Sequence, residues 1–173
     1  MRNEVSIERA CPEDLYLLID QYLLKKLFSY SPPTPSKVFK KKQFDAIFSI
    51  STFEHLIMPW VVVNEMNKVL NHGGLVFIST HQTFPLHDEP WDFWRYSTHT
   101  WHGLFNYYTG FEIVDAEMGG STILVPQNLT NITWKIENSQ AFLGSAVISK
   151  KNRDTSLRWD VDVSHLLDTI YPA

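Results

Sequence analysis

Two stretches decide how this chain folds: Phe44-Asp45-Ala46-Ile47-Phe48-Ser49-Ile50 and Leu75-Val76-Phe77-Ile78-Ser79-Thr80. Each is a short, continuous apolar run rich in Ile, Val and Phe, with polar residues arriving as it ends. That is the pattern of a strand buried in a sheet. Between them lies one helix-length segment, Pro59 to Leu70, in which Val62, Met66, Val69 and Leu70 fall at helical spacing and share one face. Pro59 suits a first helical turn, where a missing N–H costs little. Gly73-Gly74 is expected to end the helix and turn the chain back. A strand, a helix and a strand of these lengths predict a right-handed crossover unit of a parallel sheet, and therefore an α/β fold. In such a sheet the ligand crevice lies outside the carboxyl ends of the strands. Two stretches are thus expected at the functional edge: Ser51-Thr52-Phe53-Glu54-His55 and His81-Gln82-Thr83-Phe84-Pro85.

Upstream, Pro12-Glu13-Asp14 opens a helical pattern in which Leu15, Leu18, Ile19, Tyr22, Leu23 and Phe28 recur at three and four residues. Early acids and late lysines suit the helix dipole, and the spacing predicts a helix from Pro12 to Ser29. Ser31-Pro32-Pro33-Thr34-Pro35 then reads as a stiff linker. Downstream, His81 to Tyr96 is too broken for a helix and too long for a tight turn, the kind of connection that tends to carry function or move. A second helix is expected from about Thr98 to Tyr108, a strand over Phe111 to Met118, and a closing antiparallel strand over Ala141 to Ser149. Between the last two, residues 121–140 read as a loop with a short helix. A last short helix is expected near Ser164 to Tyr171. The expected division is 1–43 (helix and Pro-rich linker), 44–150 (main domain) and 151–173 (tail).

The chain has 173 residues, enough for one domain that buries roughly 70% of its unfolded surface. Hydrophobic content of 44% and charged content of 20% are globular values, and six Trp point to a bulky core or a lined cleft. A net charge of −4 argues against nucleic acid as the main partner, and Lys37, Lys40, Lys41 and Lys42 read as a solvated loop. The single cysteine, Cys11, excludes an internal disulfide and suits a reducing, cytoplasmic setting. There is no apolar run long enough to span a bilayer and no secretory signal.

Three ordered pieces, Phe44-Asp45-Ala46-Ile47-Phe48-Ser49, Glu54-His55-Leu56 and Asn64 to Gly74 with its Val69-Leu70 pair, resemble the class I S-adenosylmethionine-dependent methyltransferases of the small-molecule type. Pro90-Trp91-Asp92-Phe93-Trp94-Arg95-Tyr96 also resembles a stretch that some members carry. His72 stands where the family's Pro-Gly-Gly turn has its proline. The resemblance implies a Rossmann-like methyltransferase sheet, S-adenosylmethionine as cofactor and a small-molecule substrate. It implies that Ser51, Thr52, Glu54 and His55 border the cofactor. The alternative for this turn is a helix cap by Ser51 or Thr52 with Glu54 in the first turn. A catalytic pair of Glu54 and His55 alone is disfavoured, since adjacent residues on a helix do not face each other.

Against the family pattern, this chain has no glycine before Gly73, so the glycine-rich turn after the first strand is missing. The first three strands of a full methyltransferase sheet find no counterpart, and one edge of the Phe44 strand is expected to lie open. Three explanations are open: a truncated or degenerate enzyme, a relic fold whose Pro12–Ser29 helix covers the edge, or a sheet completed by a second copy or another chain. The first is preferred; the rival function is a non-catalytic, methyltransferase-like module. On the substrate side, His81, Trp91, Trp94 and Arg95 are candidates, with Arg95 either pairing an anionic group or engaged in a salt bridge. His81, His87 and Asp88 match no metal-ligand spacing and read as loop residues in contact with water, so no metal is expected. Ser49 and Ser51 lack a glycine-flanked elbow and Cys11 has no indicated base, which leaves no nucleophile. No catalytic residue is assigned.

Overall fold

The computed structural model describes residues 16–19, 44–125, 127–128 and 140–159. Among these, five strands form one sheet in the order β1-β2-β3-β5-β4: β1 Tyr16–Ile19, β2 Phe44–Ile50, β3 Leu70–His81, β4 Phe111–Ile123 and β5 Gln140–Lys151. A 3-10 turn, Phe53–His55, comes after β2, and two helices complete the described elements: α1 Pro59–Val69 and α2 Thr98–Leu104. The β2-α1-β3 unit forms as its apolar pattern predicts, with β2 and β3 adjacent and parallel, Ile47 opposite Val76 and Ser49 opposite Ile78. β5 is antiparallel to both β3 and β4, so it alone runs against the other four strands. The fold is α/β and Rossmann-like, with a mixed sheet in which the antiparallel strand lies inside rather than at the edge.

Tyr16–Ile19 corrects the sequence reading. These residues are a strand, not part of a helix, and pair in parallel with β2 from Tyr16↔Ala46 to Ile19↔Ser49. A four-residue apolar run fits a buried strand as well as a helix face, and β2 offers it a full row of unpaired backbone groups. β2 is therefore paired on both sides. The edge expected to lie open is taken by the chain itself. The rest of the expected Pro12–Ser29 helix, the helix near Ser164 to Tyr171, and residues 129–139 lie outside the described residues.

The expected glycine turn is absorbed into β3. Phe44 pairs with Leu70 and Ala46 with Leu75, so Asn71 to Gly74 fill an irregularity in the ladder. Gly73 takes a φ of 81°, which a side chain would resist, and the Asn71 amide closes the loop onto the Asp45 carboxylate at 2.8 Å.

Both helices pack on one face of the sheet. Phe44, Ile47, Val76, Ile78 and Val147 from the strands meet Val62, Met66 and Val69 from α1 and Trp101 and Leu104 from α2. α1 is buried well beyond its apolar stripe: Asn64 and Asn67 are also buried. The Asn67 side chain donates to the carbonyls of Thr109 and Arg153, both at 3.0 Å, and accepts from the Thr155 amide at 2.9 Å. On the opposite sheet face Phe48, Ile50 and Leu75 are exposed. Among the described residues, no helix is long and apolar enough to cross a membrane.

Candidate functional site

β2 and β3 end side by side, and the turn after β2 meets the irregular segment after β3 at their carboxyl ends. Ser51, at a φ of 48°, turns the chain out of β2 while its amide still bonds the Ser79 carbonyl at 2.9 Å. Thr52 comes next and does not cap the 3-10 turn; its hydroxyl donates back to the Ile50 carbonyl at 2.9 Å. Phe53, Glu54 and His55 then point into the molecule.

The segment after β3 is strapped over this turn rather than left in solvent. The amides of Phe93 and Trp94 donate to the Glu54 carbonyl at 2.9 and 3.2 Å, and the Tyr96 amide to the His81 carbonyl at 2.9 Å. The Tyr96 hydroxyl donates to the Phe53 carbonyl at 2.9 Å. Tyr96 stacks on Trp101 with centroids 4.7 Å apart, and the Trp101 indole N–H reaches Ser145 Oγ at 2.7 Å. These bonds consume backbone groups that an open crevice would leave to water.

Glu54 sits at the centre, fully buried. The Thr80 hydroxyl donates to its Oε2. His81 Nδ1 lies 2.8 Å from Oε1, and His55 Nε2 and His87 Nε2 each lie 4.0 Å from the same oxygen. A carboxylate removed from water needs positive charge or donors around it, and the imidazoles stand where those are required. Burial lowers the His81 pKa; Glu54 pulls it up, while His87 and Arg95 add to the lowering. Burial, reinforced by Glu54, pushes the Tyr96 phenol well above its usual range.

Behind His87 stands a second carboxylate. Asp92 Oδ2 lies 3.3 Å from His87 Nδ1 and accepts the His87 amide at 3.0 Å. The Arg95 guanidinium grips Asp92 through both terminal nitrogens and holds its carboxyl far below the usual range. In return Asp92 raises the Arg95 pKa. The remaining Arg95 donors go to the carbonyls of Phe84, Pro85 and Trp94. Arg95 is thus spent on shaping the strap.

The other sequence candidates fall apart from one another. Trp91 is buried, and its carbonyl lies 2.7 Å from His55 Nδ1. Trp94 is 40% exposed and packs against Trp60 of α1, which in turn meets Trp159. Of the four expected cofactor-side residues, Ser51 is exposed while Thr52, Glu54 and His55 are buried and engaged. Of these four, Ser51 alone has its surface open to a bound molecule. His87 and Asp92 are the members of the cluster that sequence spacing did not single out as site residues. No periodicity links Glu54, His81 and His87; the β2-β3 pairing and the strap bring them together.

No curated protein matches the chain. Among solved structures it is similar to an S-adenosylmethionine-dependent methyltransferase from Archaeoglobus fulgidus, at 16% identity over 66% of this chain and 62% of that one, with a TM-score of 0.48. It is similar to 1,6-didemethyltoxoflavin-N1-methyltransferase from Burkholderia thailandensis, at 13% identity over 69% and 48% and a TM-score of 0.47. It is also similar to a chain of the complex between the Haloferax volcanii Trm112 methyltransferase activator and a candidate methyltransferase, at 12% identity over 66% and 57% and a TM-score of 0.46. The chain thus spans between 48% and 62% of the length of these three. Its residues 9–116, which take in β1, β2, α1, β3 and α2, match the family model described as a methyltransferase domain, and the chain belongs to that family, the class I S-adenosylmethionine-dependent methyltransferases.

Proposed function

We propose that this chain acts in S-adenosylmethionine-dependent methyl transfer to a small molecule, as a truncated or degenerate member of its family. S-adenosylmethionine is the cofactor of that family and supplies an electrophilic methyl group when bound. The observation that carries the reading is the family match across β1 to α2, joined to a parallel β2-β3 pair whose carboxyl ends bear Ser51 and His81. Ser51 would form one wall of the cofactor site. His81, 20% exposed at its side chain, would face the substrate. The single cysteine fits a cytoplasmic enzyme.

The missing glycine-rich turn favours a second reading, a non-catalytic module of the same fold, completed by another copy or another chain. Calorimetric titration of the folded chain with S-adenosylhomocysteine separates the two. Micromolar binding supports the enzyme, and labelled methyl transfer to a panel of small nucleophiles then identifies the acceptor class. A chain that is folded by circular dichroism and takes up no S-adenosylhomocysteine refutes catalysis by this chain alone.

A further inference from the structure

We propose that Glu54, His81 and His87, with His55 beside them, form a binding site for a divalent transition metal of the Zn2+ kind. The inference stands independently of methyl transfer. Glu54, His81 and His87 offer donor atoms that all lie within 4.8 Å of one another. Bonds of about 2.0–2.2 Å to nitrogen and oxygen place the ligands of a four-coordinate ion roughly 3.3 Å apart. His81 Nδ1 and Glu54 Oε1 are already at 2.8 Å, and the 4.0 Å from that oxygen to His87 Nε2 and to His55 Nε2 closes with small side-chain rotations.

The orientation of the rings is the second, independent observation. His87 Nδ1 faces two acceptors, Asp92 Oδ2 at 3.3 Å and the Pro85 carbonyl at 3.1 Å, so it carries the proton. His55 Nδ1 faces the Trp91 carbonyl at 2.7 Å and is likewise the protonated nitrogen. With Nδ1 protonated, Nε2 is the nitrogen left to ligate: His87 Nε2 lies 4.0 Å from Glu54 Oε1, and His55 Nε2 lies 4.0 Å from the same oxygen and 3.9 Å from Asp88 Oδ2. Nitrogen lone pairs gathered around a carboxylate repel it unless a proton or a metal ion stands between them, and a metal ion satisfies several at once. The carboxylate–histidine arrangement of Asp92 and His87 is also how proteins fix the tautomer of a ligating imidazole. Arg95 locks Asp92 from behind with paired hydrogen bonds. Three imidazoles and one carboxylate suit Zn2+, and also Co2+ or Ni2+, over the oxygen-preferring Mg2+ and Ca2+. The side chains of His81 and His87 are 20% and 25% exposed, which leaves an entry path.

Such an ion would join the 3-10 turn to the end of β3 and to the first half of the strap, fixing the carboxyl edge of β2 and β3. The test is a titration of the metal-free full chain with Zn2+ in competition with a chromophoric chelator. One equivalent should bind, and the melting temperature should rise by about 5–10 °C at a hundredfold excess over Kd. His87→Ala and His81→Ala should each weaken binding at least tenfold, and Asp92→Asn by about 10–100-fold. A double variant of the exposed helix histidines, His99→Ala with His102→Ala, should bind as the native chain does. If the site variants fail to fold, Co2+ added to the native chain should give the intense visible bands of a four-coordinate nitrogen–oxygen site. No binding by the folded chain would show that protons alone hold the cluster. Binding unchanged in His81→Ala and His87→Ala would mark an adventitious ion only. Co2+ spectra of a six-coordinate aqua ion would show that the cluster does not ligate. Each of these overturns the proposal.

Discussion

Lys150 and Lys151 are chemically identical neighbours at the end of β5, yet replacing each by methionine should have very unequal consequences. Successive side chains on a strand face opposite ways. Lys150 is exposed, whereas Lys151 is fully buried. The Lys151 ammonium donates to the carbonyls of Asn67 and Leu70, the latter at 2.9 Å, and lies 2.9 Å from Asp154 Oδ1. Asn67 and Leu70 close the last turn of α1, where carbonyls have no partner within the helix. Methionine nearly matches the lysine stem in volume, so little cavity opens. It leaves two buried carbonyls unpaired, at about 1–3 kcal/mol each. Asp154 is 61% exposed and returns to water at little cost. Relief from burying an ammonium offsets part of the loss. The net expectation is about 2–4 kcal/mol, or roughly 4–16 °C in melting temperature for a chain of this size. Lys150→Met should stay within about 0.5 kcal/mol of the native chain, as surface substitutions do. Paired urea and thermal unfolding would measure both. Equal effects of the two substitutions, or a Lys151→Met within about 0.5 kcal/mol of native, would refute the placement of Lys151 beneath α1.

Two further substitutions probe the ends of the fold. Gly110 has a φ of 83°, and a Cβ there would lie 2.4 Å from the Arg153 carbonyl oxygen and 2.5 Å from Asn67 Nδ2. Gly110→Ala should therefore cost about 1–3 kcal/mol or more in chemical unfolding, by strain and by displacing residues 152–155 from α1. Arg95→Lys keeps the charge but loses the planar fork that grips Asp92 and reaches the Phe84 and Pro85 carbonyls. Amide exchange over residues 84–95 should speed up in that variant while the strands exchange as before. Unchanged exchange across the segment would show that Arg95 does not hold it.

The parts of this fold that sequence discloses are those whose signal is local. β2 and β3 announce themselves as continuous apolar runs, and α1 by Pro59 and its apolar spacing. β1 does not, because Tyr16-Leu17-Leu18-Ile19 sits inside a run that also satisfies helical spacing, and pairing with Ala46 to Ser49 decides between the two. Secondary structure in so short a run depends on its tertiary partner more than on its own propensity. The same limit hides the buried polar residues. Asn67 and Lys151 read as surface residues until Thr109, Arg153 and the last turn of α1 are seen against them. At the candidate site, Glu54-His55 stood out by resemblance. The convergence of His81 and His87 on Glu54 depends on a strand pairing and a strap that no local spacing encodes.

That convergence changes the part that the Glu54-His55 turn plays in this chain. A carboxylate that contacts an organic cofactor has to present its own surface to it, and Glu54 does not: Thr80 and three imidazoles surround it and the strap covers it, so only a ligand small enough to pass the part-exposed rings of His81 and His87 reaches it. Ser51 remains exposed beside it, so the proposed cofactor wall and the proposed ion site would occupy different parts of the same turn. The two binding experiments are therefore independent. Zn2+ uptake without S-adenosylhomocysteine uptake would mean that the turn now serves to hold the strap against the sheet, in a fold whose cofactor wall has lost its counterpart. Uptake of both would mean that an ion orders the substrate side of a working site. In that case His87→Ala should weaken Zn2+ binding far more than it weakens S-adenosylhomocysteine binding, because its ring contacts Glu54 and Asp92 rather than the Ser51 face. Equal losses of both ligands in His87→Ala would refute the separation of the two sites.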